Sequence, residues 1–595
     1  RPEWVPVWIS NPHDFRPTTR MPRFRLDEGE IKSVAAFIWQ SGVEAKLPVQ
    51  PRGDAARGKE SFETRGCLGC HSIGEGDSRT GGTFAANLTR VGEKANYDYL
   101  VRWVHDPRER TRPYCSFEKR DLTEEDYKKH GKPFVFDLEH TKCPNDGHEL
   151  QVEQMTVMPS LRLSVQEARD IATYLVTLKQ KEASDYAAAP YLNDAALKPK
   201  GKAVVQRYGC AGCHEIAGLE TEGRIGTELT KEGSKPLEQF DFALLVTEAR
   251  EKDWHSHKGF FEHKLAKPEM FDKGLIKAEG EELKMPNFNL KPEDIAALTT
   301  FLMGAVDSTV PQQYHYHPAD QRRDVQEGWW LVKKYNCMGC HQFKVGQGTS
   351  IETLAHFQTP EGKDLLPPKL LSEGARVNPD WLLRFLTNPS LSKADTDRNG
   401  VRPYLKTRMP TFYFSPNEVR KLVRFFQAMS SQPMPYIPPQ LDPLSDQELT
   451  LARALFTSRA APCLKCHATG DVGHDRYATA PNFLYAPERL KPGWTRRWIL
   501  DPSMISPGTA MPSGLFKRDG SRWVFSGPTP PIFAGYDGDQ ADLLVRYMFS
   551  ITPEEQRRLV GMSTGAVKSA ASVSRSDGNL ARLQLPTGQL LARAH

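Results

Sequence analysis

Length, charge and composition limit the classes of protein to which this chain can belong. Its 595 residues predict about four domains, and 79 basic against 74 acidic residues leave a net charge of +5, too balanced for a dedicated nucleic-acid binder. A hydrophobic content of 39% with 45 prolines indicates small, turn-rich domains whose cores are completed by something other than side chains. No apolar run approaches the ~18 residues of a transmembrane helix, so we expect any membrane association to come through a partner. Because the chain begins at Arg1 without a signal-peptide pattern, we expect a processed form or a piece of something longer.

Four copies of the motif C-x-x-C-H are the strongest signal, and they use eight of the ten cysteines. In chain order they are Cys67-Leu-Gly-Cys70-His71, Cys210-Ala-Gly-Cys213-His214, Cys337-Met-Gly-Cys340-His341 and Cys463-Leu-Lys-Cys466-His467. The motif is typical of covalent c-type haem attachment. Cysteines three apart share one face of a helical turn, where they can bond the two vinyl groups of a porphyrin, and the histidine is held beneath the iron. Zinc ribbons would need a second C-x-x-C for each site, and a thioredoxin-like pair would need a βαβ pattern, so we favour haem.

The sequence around these motifs is repetitive. The first cysteines of successive motifs are 143, 127 and 126 residues apart, and a predicted helix precedes each motif. A second element occurs five times: an aromatic residue, a proline eight positions later, and then a Met-Pro pair. The methionines of these pairs are Met21, Met158, Met285, Met409 and Met511. Asp27, Ser164 and Ser415, each six residues after a Met, predict helix N-caps with capping boxes.

This layout resembles class I cytochrome c domains, which have an N-terminal helix, C-x-x-C-H, a long loop, an axial Met and a C-terminal helix across the first. The resemblance covers nearly the whole chain to about residue 556. It implies an all-α fold of tandem small helical domains, each wrapped round a covalent haem c, with long loops. It also implies four His/Met ligand pairs, namely His71–Met158, His214–Met285, His341–Met409 and His467–Met511. The expected domains are the C-terminal half of a domain at 1–48, four cytochrome c domains at 49–185, 186–308, 309–435 and 436–556, and a poorly ordered or partner-wrapping tail at 557–595.

Met21 is left without a haem motif before it. Our preferred interpretation is a fifth haem motif upstream of the supplied sequence. A second is a split domain in which Met21 completes a haem carried by another chain. The third is a degenerate half-domain without haem.

The insert between Pro107 and Met158 holds the two remaining cysteines, Cys115 and Cys143. In an oxidising compartment they most simply form a disulfide that closes the insert. A metal site of His140, Cys143 and His148 is the alternative.

Two of the proposed methionine ligands have competitors. Met155 lies only three residues before Met158. Near Met285, a histidine could take its place and make a bis-histidine haem; the candidates are His255, His257 and His263.

Iron held by His and Met on both sides has no open position for oxygen or peroxide and can only gain and lose one electron. We therefore predict an electron-transfer protein without catalytic residues, on the periplasmic or outer face of a membrane, since this type of haem attachment occurs outside the cytoplasm. By analogy we expect a subunit of a respiratory or photosynthetic complex, which relays electrons between membrane-embedded redox subunits and another carrier such as a cytochrome c or an oxidase. The alternatives are a peroxidase-like or small-molecule-reducing haem enzyme, and a wire-forming structural cytochrome.

Overall fold

A computed structural model describes residues 1–559 with internal gaps. The gaps are 18, 43–48, 108–111, 116, 119, 133, 135–141, 149, 154–155, 215, 217, 220–225, 276–282, 284, 307–319, 392–399, 459–462 and 469–477. The predicted tail 557–595 lies almost wholly outside the described residues. Helices dominate, and the few strands form three small sheets, so the predicted all-α class is confirmed.

The N-terminal segment, residues 1–42, and the Cys67 domain come first along the chain. The N-terminal segment contains α1 (Trp4–Ser10), α2 (Pro12–Phe15) and α3 (Glu28–Gln40). The helices of the Cys67 domain are α4 (Ala55–Thr64), α5 (Val91–Lys94), α6 (Tyr97–His105), α7 (Glu124–Lys128) and α8 (Val165–Leu175). Its strands β1 (Ser72–Ile73) and β2 (Thr80–Gly81) pair after the motif, and β3 (Arg112–Cys115), β4 (Arg120–Asp121) and β5 (Gln151–Glu153) form a sheet in the insert, in the order β4-β3-β5.

The central part of the chain has one helix before the Cys210 motif and three after it. The first is α9 (Leu197–Arg207). After the motif, residues 227–306, here called the Met285 segment, contain α10 (Val246–Glu251), α11 (His257–Ala266) and α12 (Pro292–Met303).

The last two haem motifs lie in closed helical domains. The Cys337 domain has α13 (Gln321–Lys334), α14 (Pro360–Asp364), α15 (Glu373–Arg376), α16 (Pro379–Thr387) and α17 (Pro416–Met429). The Cys463 domain has α18 (Asp446–Phe456), α19 (Cys463–Cys466), α20 (Ala486–Arg489), α21 (Pro492–Leu500), α22 (Pro502–Ile505) and α23 (Gln540–Ser550). The sequence inserted before α23 forms a hairpin of β6 (Phe516–Asp519) and β7 (Arg522–Phe525).

A crossing of two helices closes each domain. Helix α4 crosses α8, α13 crosses α17, and α18 packs on α23. The residue nine positions before the first cysteine lies at the crossing, and it is a glycine in the first two of these domains. A Cβ on Gly58 would collide with the carbonyl of Asp170, and a Cβ on Gly328 would collide with the Phe425 ring, so the close approach of the helices requires glycine. The predicted capping boxes start α3 at Asp27, α8 at Ser164 and α17 at Ser415.

The Cys210 region departs from the expected linear order. Helix α9 is crossed by α3 of the N-terminal segment. Gly201 lies at this crossing, where a Cβ would collide with the carbonyl of Ser33. Their shared core includes Val34, Phe37 and Val205. Helix α12 packs instead on α11 and on the turn Glu232–Ser234. The helix packing therefore joins part of the expected segment 1–48 to part of the expected domain 186–308, and the domain bounds themselves stay a prediction.

Candidate haem-binding sites

Each of the first three motifs begins on a tight turn that directly follows the preceding helix. The first three motifs form a 3-10 turn, and the residue before the first cysteine has a left-handed backbone: Gly66, Gly209 and Asn336, with φ of 116°, 65° and 51°. Since glycine and asparagine tolerate this conformation best, the residue choice ends the helix at this point. The fourth motif is a short helix, α19.

Three of the four motif histidines are oriented by a backbone carbonyl. The Nδ1 atom of His71 lies 2.8 Å from the Ala86 oxygen, that of His341 lies 2.8 Å from Pro368, and that of His467 lies 2.7 Å from Pro481. When Nδ1 donates this bond, Nε2 is left unprotonated and free to bind a metal. Burial lowers the pKa of all three imidazoles, for His467 to about 4, so they are neutral at neutral pH.

The motif cysteines do not form a zinc-type cluster. Burial raises the pKa of the first thiol in three motifs to about 12, which disfavours the thiolate that zinc requires; these are Cys67, Cys337 and Cys463. In the part of the chain that the structure describes, only one group of His, Cys and acidic residues converges closely enough to hold a metal ion, and it lies in the insert.

A threonine two residues before the methionine marks four of the five Met-Pro pairs, a signal that our reading of the sequence missed. The backbone N–H of Met21, Met158 and Met511 donates to the hydroxyl of this threonine at 3.1–3.3 Å. Thr407 has the same position before Met409, but its hydroxyl donates to the Thr64 carbonyl at 2.9 Å. Met285 has Leu283 there instead.

Buried cations lie near the motif histidines His341 and His467, and buried donors without a partner in the described part of the chain are also present; the carboxylates of a haem, when bound, would supply partners for such groups. Burial lowers the pKa of Arg489 to about 9, and Arg376 is among its charged neighbours. The Nε atom of Arg376 and the Nε1 atoms of Trp4 and Trp494 are buried without a hydrogen-bond partner among the described residues. Such orphaned donors are costly unless an acceptor is bound. The donor set, with oriented histidines and paired cysteines, therefore fits haem c.

The Cys210 site differs from the other three. His214 is exposed, whereas the other three motif histidines are not. No hydrogen bond orients the His214 ring within the described residues, although residues 215, 217 and 220–225 of the following loop are outside them.

Comparisons with known proteins agree with these features. Residues 55–179 and 199–305 match the family described as Cytochrome c. The chain thus contains cytochrome c domains in these two regions, and we refer to it as a cytochrome. Its curated relatives include the Cbb3-type cytochrome c oxidase subunit CcoP of Helicobacter pylori strain ATCC 700392/26695, which is 35% identical over 72 residues, or 12% of this chain and 25% of that protein. The same subunit of strain 52 is also 35% identical over 72 residues, or 24% of its length. The cytochrome thus spans about a quarter of the length of these relatives, and no solved structure matches it.

Two kinds of contact join the domains of the cytochrome. The first, which we call the cationic junction, lies between the Cys337 and Cys463 domains. It is reciprocal: Arg376 lies over the Trp494 ring at 5.8 Å, and Arg489 lies over Trp381 at 5.6 Å. The Lys491 N–H also donates to the Arg376 carbonyl at 2.9 Å.

Some of these contacts recur between the Cys67 domain and the N-terminal segment. Lys94, which like Arg376 lies five residues before the domain's aromatic residue, is 5.3 Å from the Trp4 ring. The amino group of Arg1 donates to the Lys94 carbonyl at 2.9 Å, as Lys491 does to Arg376. One cation–Trp contact and the backbone hydrogen bond of the first junction thus recur here, and we call this contact the second cationic junction.

The second contact, the motif junction, brings the Cys67 and Cys337 motifs together. The Asn336 side chain donates to the Gly69 carbonyl at 3.1 Å and lies 3.3 Å from Cys70 Sγ. A Cβ on Gly69 would lie 2.6 Å from Cys340 Sγ. Behind the motifs, Ser160 and Thr411, each two residues after its Met, pair as an antiparallel bridge.

The remaining candidates have mixed outcomes. Cys115 and Cys143 are buried and not bonded to each other, yet their sulfurs lie within 4.8 Å in a group with Glu118 and Asp146. His140 and Met155 lie outside the described residues. The three histidines before Met285 have other contacts: His255 lies against Phe242, His257 bonds the Lys235 carbonyl, and His263 stacks on Trp254.

Proposed function

We propose that this cytochrome relays single electrons along a row of four covalently bound haems, whose sites follow the order Cys210, Cys67, Cys337 and Cys463. Haem c, when bound, supplies reversible one-electron oxidation and reduction. The protein contributes the spacing of the sites, the ligands and the surrounding charges.

The junctions are the observation that carries this proposal. The motif junction brings the Cys67 and Cys337 motifs into contact, and a cationic junction on each outer side adds a further unit. The order therefore differs from the chain order, because the Cys67 domain touches the Cys337 domain directly. Because each unit of the row contacts the next one, electron transfer is favoured along the whole row.

For three sites we propose the axial ligand pairs His71–Met158, His341–Met409 and His467–Met511. In each of these domains, the motif histidine follows one helix of the crossed pair, and the Met-Pro loop precedes the other helix. With both axial positions filled, the iron exchanges electrons and offers no site to a small molecule.

We further propose that the cytochrome is the periplasmic subunit of a respiratory complex, and that it transfers electrons between membrane-embedded redox subunits and another carrier or oxidase. The support is its similarity to a subunit of a Cbb3-type cytochrome c oxidase. Across the residues that the structure describes, none of the helices has the length and apolar character needed to cross a membrane.

Haem quantitation and ligand binding test this proposal together. We expect four covalent haems in the denatured holoprotein, full reduction by four electrons, and no change of the reduced spectrum under carbon monoxide. Two haems or fewer would contradict the assignment of the motifs.

A haem enzyme is the competing function, and the exposed His214 is the observation that favours it. An enzyme needs one iron with an open or displaceable position. Carbon monoxide binding to one haem in four, together with turnover of peroxide, would favour the enzyme over the relay.

A further inference from the structure

We infer that Met21 is the second axial ligand of the iron at the Cys210 motif, so that the N-terminal segment and residues 197–219 form one haem domain. Met285, which follows the motif in the sequence, is not its ligand. The inference rests on the proposed function in one respect, that the Cys210 motif carries a haem.

The helix crossing has the same register here as in a complete domain. A Cβ on Gly201 would collide with the carbonyl of Ser33, and a Cβ on Gly58 would collide with the carbonyl of Asp170. Both glycines lie nine residues before the first cysteine, and Ser33 and Asp170 each lie twelve residues after the Met of their Met-Pro pair. Met21 therefore has the same relation to the Cys210 motif as Met158 has to the Cys67 motif.

An acidic residue nine positions after the Met confirms this register. Glu30 contacts Arg207 and Tyr208, which lie just before the Cys210 motif. The equivalent Glu167 pairs with Arg65 at 2.9 Å, and Glu418 accepts from Tyr335 at 2.9 Å. Asp294, at this position after Met285, is exposed.

In the part of the chain that the structure describes, the helix after Met285 packs mainly on α11 and not on a helix that precedes a motif. Phe301 of α12 is 71% exposed, whereas Phe37 of α3, at the same distance from its Met, is 6% exposed. Leu298 and Met303 are exposed on α12 as well. Burial of such a face is what stabilises the closed domains.

The Met285 loop packs on the Met21 loop in the way that the Met409 loop packs on the Met158 loop of the neighbouring domain. Arg23 and Asn287, each two residues after a Met, form the same antiparallel bridge as Ser160 and Thr411 at the motif junction. Arg25 donates to the Met285 carbonyl at 3.2 Å, just as Arg162 donates to that of Met409 at 2.8 Å. Since we assign Met158 and Met409 to different motifs, we expect that Met21 and Met285 do not share one iron, so the Cys210 motif takes only one of them.

Single methionine substitutions in the full holoprotein test the inference. We compare Met21→Ala with Met285→Ala and follow the Met-to-ferric-iron charge-transfer absorption, with Met158→Ala as the positive control. We expect Met21→Ala and Met158→Ala each to remove about a quarter of this absorption, since there are four motifs, and Met285→Ala to leave it unchanged. Met21→His serves as a second variant, expected to keep the iron low-spin and to remove the same share of the absorption.

The outcomes separate the inference from the proposed function. Loss of absorption in Met285→Ala, or an unchanged spectrum in Met21→Ala with four haems bound, would overturn the assignment of Met21. Fewer than four covalent haems in the unsubstituted protein would instead contradict the proposed function.

Discussion

Arg489 is a cation held among other cations. Burial lowers its pKa to about 9, and its charged neighbours include Arg376 and Arg402. The same guanidinium also lowers the pKa of His467, after the larger effect of burial. Glu373, which pairs with Arg376, supplies one negative charge to this cluster, and haem carboxylates are the anions that we expect to neutralise the remaining cations at this cationic junction.

We expect Arg489→Gln to lower the reduction potentials of the haems at Cys337 and Cys463, because a positive charge stabilises the less positive ferrous iron. At an effective dielectric of about 20 and a distance of about 10 Å, one charge contributes about 1.7 kcal/mol, or roughly 70 mV for one electron. A spectroscopic redox titration measures the shift. Arg557→Gln is the control, since its side chain is 70% exposed, and equal potentials in both variants would refute the role of Arg489.

Glu448 predicts a pH dependence of stability. The hydrogen bond from Arg546, with help from the backbone N–H of Ser445, lowers its pKa from 4.5 to about 2. A carboxyl whose folded pKa is depressed stabilises the fold above its unfolded pKa and loses this contribution as the pH falls toward the folded value. Glu448→Gln should therefore cost about 1–2 kcal/mol at pH 7, after allowance for partial solvent screening, and the difference should shrink between pH 4.5 and 2.

Hydrogen exchange of the amides of α18 and α23 measures this free energy within the Cys463 domain. Glu554→Gln, at a side chain that is 75% exposed, provides the comparison and should change stability little. A cost of Glu448→Gln that is the same at pH 7 and pH 3 would show that the ionised carboxylate is not what stabilises the domain.

At the scale of elements, periodicity and capping residues were enough to predict the helix before each motif and C-terminal helices such as α8 and α17, because these are local properties of the sequence. The capping boxes at Ser164 and Ser415 formed as predicted. The pairing of α3 with α9 could not be predicted in this way, since several equivalent C-terminal helices compete for one N-terminal helix. A lysine or arginine lies five positions before three of the five aromatic residues, namely Lys94, Arg376 and Arg489. These residues make their contacts across a junction, so a single domain gives no reason to notice them.

The insert of the Cys67 domain supplies a test at the same scale. Strand β3 ends at Cys115, and the buried thiols of Cys115 and Cys143 lie within 4.8 Å. In an oxidising compartment we predict a disulfide between them, which would contribute about 3 kcal/mol by restricting the unfolded insert. Peptide mapping without reductant should recover the linked pair. Two alkylatable thiols in protein isolated from the periplasm, or zinc bound in stoichiometric amount, would contradict this prediction.

The whole molecule is an alternating array. A cationic junction joins the N-terminal segment to the Cys67 domain, the motif junction follows, and the other cationic junction leads to the Cys463 domain. Equivalent residues meet at the motif junction, as Ser160 and Thr411 do, so an approximate twofold axis passes through it. The array makes the motif junction the central step of the proposed relay.

Gly69 and Gly212 give a matched pair of variants for that step, because both lie two residues after the first cysteine of their motif. A Cβ on Gly69 would lie 2.6 Å from Cys340 Sγ, whereas one on Gly212 would have no heavy atom within 4 Å. We expect Gly69→Leu to push the two motifs apart and to slow electron transfer between them, with four haems still bound. Gly212→Leu should leave the rate unchanged. Photochemical reduction of one haem, followed by its re-equilibration with the others, measures these rates; equal rates in both variants would mean that electrons do not cross the motif junction.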